Sequence, residues 1–288
     1  MKGASVASTS LGLLLAMSLV SSVGGCGALQ DLLGSQRPTA RIAGVSLQDI
    51  KLDSATLLFD VEVDNPYSVP LPLVNVDYNL ASGGAPFLSG KADLQGTVPA
   101  KDKKTVSLPA KVPFMELLSA LKGVRPGAVV PYEAELGLSL DAPALGVLRL
   151  PLKKEGKLPV PAAPEVQVSE IKWDKMTLEE AGGHVKLHLV NRNQFPVELS
   201  KLTYALSLGE VEVANSSLAK ALAFEADGGG GAVELPISFS PRKLGLAVFS
   251  MLAGQGSGYG LTGTLDVQTP FGPMSLPMDK VGETIFRR

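Results

Sequence analysis

The chain repeats itself at domain length. Val61–Leu80 aligns without a gap on Leu187–Leu206, placing Asn65 on Asn191 and Tyr78 on Tyr204 at an offset of 126. Further on, Val106-Ser107-Leu108-Pro109 matches Val233-Glu234-Leu235-Pro236, Tyr132 matches Tyr259 and Pro143 matches Pro270, all at 127. Gly146 and Pro151 match Gly272 and Pro277 at 126. In front, Asp49-Ile50-Lys51-Leu52 matches Glu170-Ile171-Lys172-Trp173 at 121, the difference being assigned to extra residues around Glu179–Gly183. Matches kept in order over so long a period mean two copies of one folding unit, and 288 residues hold two domains of ordinary size.

Each copy reads as strands. Leu57, Phe59, Val61 and Val63 alternate with Leu58, Asp60, Glu62 and Asp64, and Val185, Leu187 and Leu189 alternate with His184, Lys186 and His188. Period-two alternation marks antiparallel strands with one face in a core. Asn65-Pro66 ends the first of these, because proline donates no hydrogen bond and holds its predecessor extended. A polar hairpin is expected at Ala100–Lys104 and its counterpart at Asp227–Gly231. One short helix per copy follows, near Phe114–Lys122 with Leu117, Leu118 and Leu121 on one face, and near Arg242–Ala253. Strands near Tyr132–Leu140 and Leu145–Leu152, then Tyr259–Gln268 and Met274–Met278, close the copies. The expected class is all-β with one short helix per domain, as tandem antiparallel sandwiches. The domains span 44–158 and 165–288, joined by a stiff proline-rich linker at 159–164.

The leader is of a different kind. Residues 1–25 hold one base, Lys2, and no acid, and Leu11–Val20 is an apolar run of signal-peptide length. Val23-Gly24-Gly25-Cys26 then resembles a bacterial lipobox, an aliphatic residue and two small ones before the cysteine that is acylated. Cys26 is the single cysteine of the chain, which excludes an intramolecular disulfide and gives this position a use. The expectation is a signal peptide over 1–25, lipid attachment at Cys26 and a tether over 26–43. Two or three acyl chains make a stable anchor where one does not. Gly27 in place of aspartate after the cysteine resembles the sorting pattern for the outer membrane, with the protein facing the periplasm.

The residues Asp64-Asn65-Pro66, Val69-Pro70-Leu71-Pro72-Leu73, Tyr78, Ser89-Gly90, Val98-Pro99-Ala100 and Val106–Ala110 resemble the late-embryogenesis-abundant type 2 family, also known for the water stress and hypersensitive response domain. The likeness is closer over the first copy. In the second, Arg192 stands where the first has Pro66, and no Ser-Gly follows the matching strand. The resemblance implies a fibronectin-III- or immunoglobulin-like sandwich of about seven strands and a link to desiccation, without an assigned enzymatic activity.

Candidate chemistry is sparse. His184 and His188 are the only histidines, and on a strand both point away from the apolar face, so they read as solvated rather than metal ligands. The row Asp60, Glu62, Asp64 could attract Ca²⁺, but three acids along one strand do not make a cage. Gly254–Gly260 follows a helix and lacks the lysine of a phosphate loop, and reads as a flexible turn. No nucleophile elbow or catalytic triad emerges. The recurring tyrosines Tyr78, Tyr204, Tyr132 and Tyr259 read as structural, and Trp173 as core. No catalytic, metal or cofactor site is assigned; a net charge of −2 with no basic stripe excludes nucleic acid as a partner. The leading expectation is a non-enzymatic envelope lipoprotein linked to water stress, bound to the membrane by its lipid and to an unidentified protein or lipid partner. The alternative is a lipid-binding or lipid-transfer module. It is motivated by the apolar second helix, from Leu244 to Leu252, and needs an apolar cavity between the sheets.

Overall fold

The computed structural model describes residues 37–142, 145–177, 179–243 and 257–284. The leader with Cys26, nearly all of the second expected helix, and residues 254–256 of the glycine-rich turn lie outside the described residues. The first copy runs β1 (Thr39–Gln48), β2 (Ser54–Asp64), β3 (Leu71–Ser82), β4 (Ala85–Asp93), β5 (Thr97–Val98), β6 (Lys103–Pro113), α1 (Phe114–Ala120), β7 (Val129–Ala142) and β8 (Gly146–Pro159). The second runs β9 (Glu165–Met176), β10 (Ala181–Val190), β11 (Val197–Leu208), β12 (Val211–Phe224), β13 (Gly230–Phe239), a 3₁₀ turn at Pro241–Lys243, β14 (Ser257–Thr269) and β15 (Gly272–Thr284).

Every strand pairing is antiparallel, and the two copies share one topology. A three-stranded sheet β1-β2-β6 faces β4-β3-β7-β8, with β5 added on β3; in the second copy β13-β10-β9 faces β12-β11-β14-β15. Alternation decides which side is inside: Leu57, Phe59, Val61 and Val63 are buried in β2, as are Val185, Leu187 and Leu189 in β10. The all-β tandem sandwich is therefore the observed fold. Its helix α1 buries Phe114 and Leu117 after an extended Pro113, and the Phe114 amide donates to the Asp53 carbonyl at 2.8 Å.

The register corrects the alignment at the front of the repeat. Leu47 pairs with Leu57, and Trp173 pairs with Gly183. Hence Leu47, not Leu52, is the counterpart of Trp173; the 126-residue offset continues through the first strand and no extra residues are needed. Alternating apolar residues match one another at several offsets, and only the partner strand fixes which is used. Trp173 is half-buried rather than deep in the core, with its ring edge-on to Phe239 at 5.9 Å. The expected tether also ends early: Thr39 pairs with Asp64 and Arg41 with Glu62, so Thr39–Ala43 belongs to β1. That strand is half-exposed along its length and carries too weak an apolar pattern to be read without its partner.

A second correction concerns the polar turns. Lys101 (φ 57°) and Asp227 (φ 56°) occupy equivalent left-handed positions, but each turn carries the chain from one sheet to the other and is not a hairpin. Ser257–Gly260, expected as part of a flexible turn, opens strand β14.

Asn65 and Asn191 show why the loop ending β2 and β10 is the same in both copies. Asn65, fully buried, donates through Nδ2 to the carbonyls of Val69 (2.9 Å), Val98 (3.2 Å) and Pro99 (2.8 Å) and accepts from the Tyr67 amide (3.0 Å). Asn191 donates to Phe195 (2.8 Å), Phe224 (3.5 Å) and Glu225 (3.0 Å) and accepts from the Asn193 amide (3.0 Å). One amide thus satisfies loop carbonyls that would otherwise be buried without partners.

The linker is extended and clamped. Val160 is buried, its carbonyl accepts from the Gly127 amide (2.6 Å), and its amide donates to Ala128 (2.9 Å). The Ala162 amide donates to Asn193 Oδ1 (2.8 Å) and the Gln194 amide to the Gly127 carbonyl (2.7 Å). Gly127 has φ 95°, and a Cβ there would strike the Arg192 carbonyl, so this junction requires glycine.

Candidate functional site

The sequence candidates for chemistry resolve into surface structure. Glu62 accepts a two-pronged hydrogen bond from Arg41 (3.0 and 2.9 Å), and this holds its carboxyl below the usual glutamate range, with Arg41 and Lys103 charges helping against desolvation. Asp60 accepts from the Ser107 hydroxyl at 2.6 Å, and Asp64 lies 3.5 Å from Lys103. The acidic row is a cross-strand ladder. His184 Nδ1 sits 3.2 Å from Asp174 Oδ2, and His188 is exposed on the same strand face. Among the described residues no three His, Cys, Asp or Glu side chains come together as a metal site.

The apolar cavity that a lipid-binding reading requires is present, in the first copy. A slot of about 230 Å³ enters between the sheets on the side where β4 and β6 are the edge strands. Phe59, Leu108 and Ala110 line it from one sheet, and Val76, Tyr78 and Leu136 from the other. Exposed Asp93 stands at the mouth. Helix α1 packs against both β4 and β6 and bridges this side of the sandwich.

What keeps the slot open is the path of one ring. Tyr78 pairs with Gly90 across β3 and β4, and its ring lies so closely over Gly90 that a Cβ there would collide with the hydroxyl. The ring therefore lies along its own sheet. Tyr132 over Gly156 and Tyr259 over Gly282 repeat the device, with a Cβ at those glycines falling 2.5 and 2.6 Å from the hydroxyl oxygens; burial pushes both phenols up from their ordinary pKa.

Tyr204 breaks the pattern. Its partner in register is Ser216, where the first copy has Gly90. Its ring is buried, at 1% exposure, and its hydroxyl donates to the Pro236 carbonyl on the opposite sheet. Burial raises its pKa, partly offset by a hydrogen bond with Ser216. Pro236 aligns with Pro109, a wall residue of the first slot. Tyr204 thus crosses the space that Tyr78 leaves free. Ala92 and Ala110 of the slot are Leu218 and Ile237 in the second copy, while Phe59 and Leu136 become Val185 and Gly263, which makes room for the ring. The edge strands β12 and β13 then lie directly against each other. Tyr78 and Tyr204 are alike in sequence as structural residues of the repeat, and the signal that separates them is the Gly90-to-Ser216 exchange beside a retained tyrosine.

The sequence profile described as late embryogenesis abundant protein, LEA_2, matches residues 60–156 and 186–282, one match per sandwich. The chain is 34% identical over 125 residues to a desiccation protectant protein Lea14 homolog of Glycine max, covering 43% of this chain and 82% of that one. It is 30% identical over 131 residues to late embryogenesis abundant protein Lea14-A of Gossypium hirsutum, covering 46% and 87%. A solution structure from Arabidopsis thaliana aligns at 29% identity and TM-score 0.37, over 44% of this chain and 84% of that one.

Proposed function

The chain belongs to the late embryogenesis abundant LEA_2 family, whose relatives are named for desiccation, and from that premise we propose a non-enzymatic, lipid-tethered envelope protein of the desiccation response. The observation that carries the reading is the joining of two family domains to a leader that ends at the chain's single cysteine, Cys26. Acylation there anchors the protein in the outer membrane on its periplasmic side, and contact with an envelope protein or membrane surface does the work. The surface suits a drying compartment. Ion pairs such as Arg41–Glu62 and Lys153–Glu135 join exposed groups within the chain. Water screens such pairs almost completely, and their attraction rises as the effective dielectric falls.

Intact mass of the native protein should show loss of residues 1–25 and an acylated Cys26. Cys26→Ser should give an unprocessed or soluble form, and deleting the protein should lower survival of drying. A native protein found soluble with a free thiol removes the tether; normal survival of drying and osmotic shock removes the stress role.

A further inference from the structure

We propose that the slot of the first copy is a binding site for the alkyl end of an uncharged amphiphile, and that the second copy has lost the same site by closing Tyr204 into it. The occupant follows from size and lining. A dry cavity of about 150 Å³ accepts a benzene ring, and this one, at about 230 Å³, is larger and lined mainly by aliphatic and aromatic side chains. It is smaller than the roughly 300–1,000 Å³ of a site that encloses a whole drug-sized ligand. It therefore takes a short length of chain, entering from the side between β4 and β6, and leaves the rest of the molecule outside. The mouth decides the head group. Asp93 stands there, exposed, and the lining includes no lysine or arginine. A carboxylate or phosphate head would meet like charge, whereas a hydroxyl head can donate a hydrogen bond to Asp93.

The second copy supplies the internal control. Ser216 occupies the place of Gly90, and the tyrosine of β11 turns its hydroxyl to the Pro236 carbonyl of the opposite sheet. The first copy keeps the glycine, and with it the parked ring and the open slot. The difference arises between two domains of one topology, and binding should follow it.

The test uses the full chain in detergent-free buffer with n-butanol, n-hexanol, n-octanol and n-decanol as probes, read by methyl chemical shifts. Val76, Leu108 and Leu136 should shift, and their second-copy counterparts Leu202 and Leu235 should not. Affinity should rise about fourfold per added methylene until the slot is full, as expected of buried CH₂ groups. Octanoate at neutral pH should bind at least tenfold more weakly than octanol. Gly90→Ser should weaken octanol binding tenfold or more while leaving the thermal midpoint nearly unchanged. Ala110→Ile, which installs the second copy's residue, should weaken it similarly without touching Tyr78. Ser216→Gly combined with Ile237→Ala should create a second binding site. Shifts of equal size in both copies, affinity independent of chain length, or wild-type octanol binding in folded Gly90→Ser and Ala110→Ile would overturn the proposal. The slot is read whether or not Cys26 is acylated, so failure here leaves the tether standing, and failure of the tether leaves the slot standing.

Discussion

The two sandwiches share strand order, register and the asparagine that ties their loops, yet they part company along one edge. In the first, β4 stops at Asp93, helix α1 continues from β6 and reaches across to β4, and a slot runs inward beside Tyr78. In the second, β12 continues to Phe224, lies against β13, and Tyr204 fills the space between the sheets. Duplication gave two copies of one backbone plan, and the exchange of Gly90 for Ser216 beside a retained tyrosine, with larger residues at Leu218 and Ile237, accompanies the change from an open core to a packed one. A glycine under an aromatic ring is a packing element in its own right, since it sets where the ring can lie.

The largest effects should come from what the copies share. Asn65→Ala leaves three carbonyls and the Tyr67 amide without their partner, and Asn191→Ala does the same at its own loop. Each should cost about 3 kcal/mol or more, because buried groups lose hydrogen bonds without gaining water. Trp173, the one tryptophan, reports on the second copy by fluorescence, while circular dichroism sees both. Denaturant unfolding should show the fluorescence transition moved by Asn191→Ala and not by Asn65→Ala. If both substitutions move it equally, the clamp at Gly127, Val160 and Asn193 joins the copies into one cooperative unit and the independence of the two domains is lost.

A smaller effect sharpens the difference at the edge. Tyr204→Phe removes a donor from the Pro236 carbonyl and should cost about 1 kcal/mol. Tyr78→Phe should stay within about 0.5 kcal/mol, as for a substitution that leaves no buried partner behind. Equal costs would mean that the two rings occupy equivalent environments after all.

The smallest concerns acid. Glu62, Asp77 and Glu135 in the first copy, and Glu165 in the second, are held below their ordinary pKa chiefly by hydrogen bonds from Arg41, Arg149, Lys153 and Arg192. A carboxyl depressed on folding contributes stability above its unfolded value, here 4.5 for glutamate and 3.8 for aspartate, and loses it as the pH falls through the folded value. Stability should therefore decline as the pH drops below about 4.5, and modestly, since all four groups are at the surface. The first copy carries more of them and should lose more. Scanning melts at stepped pH, with fluorescence against circular dichroism, would expose the reverse order if it holds.

The repeat, the all-β class, the short helix at Phe114–Ala120 and the family were legible from the residues in order, because each rests on local periodicity or on matched motifs. Alternation alone tells which face of β2 or β10 is inside. It does not tell which strand lies alongside, and so the start and offset of the first strand are fixed only by its partners Leu57 and Glu62. The slot lay further still from the sequence. Tyr78 and Tyr204 are the same letter in the same motif, and whether the ring lies on its own sheet or crosses to the other depends on the residue beside it on the next strand. That neighbour is twelve positions on in both copies, Gly90 or Ser216. Local sequence determined the strands; only the packing of one sheet against the other, where an added Cβ decides the course of a ring, determined which domain is open.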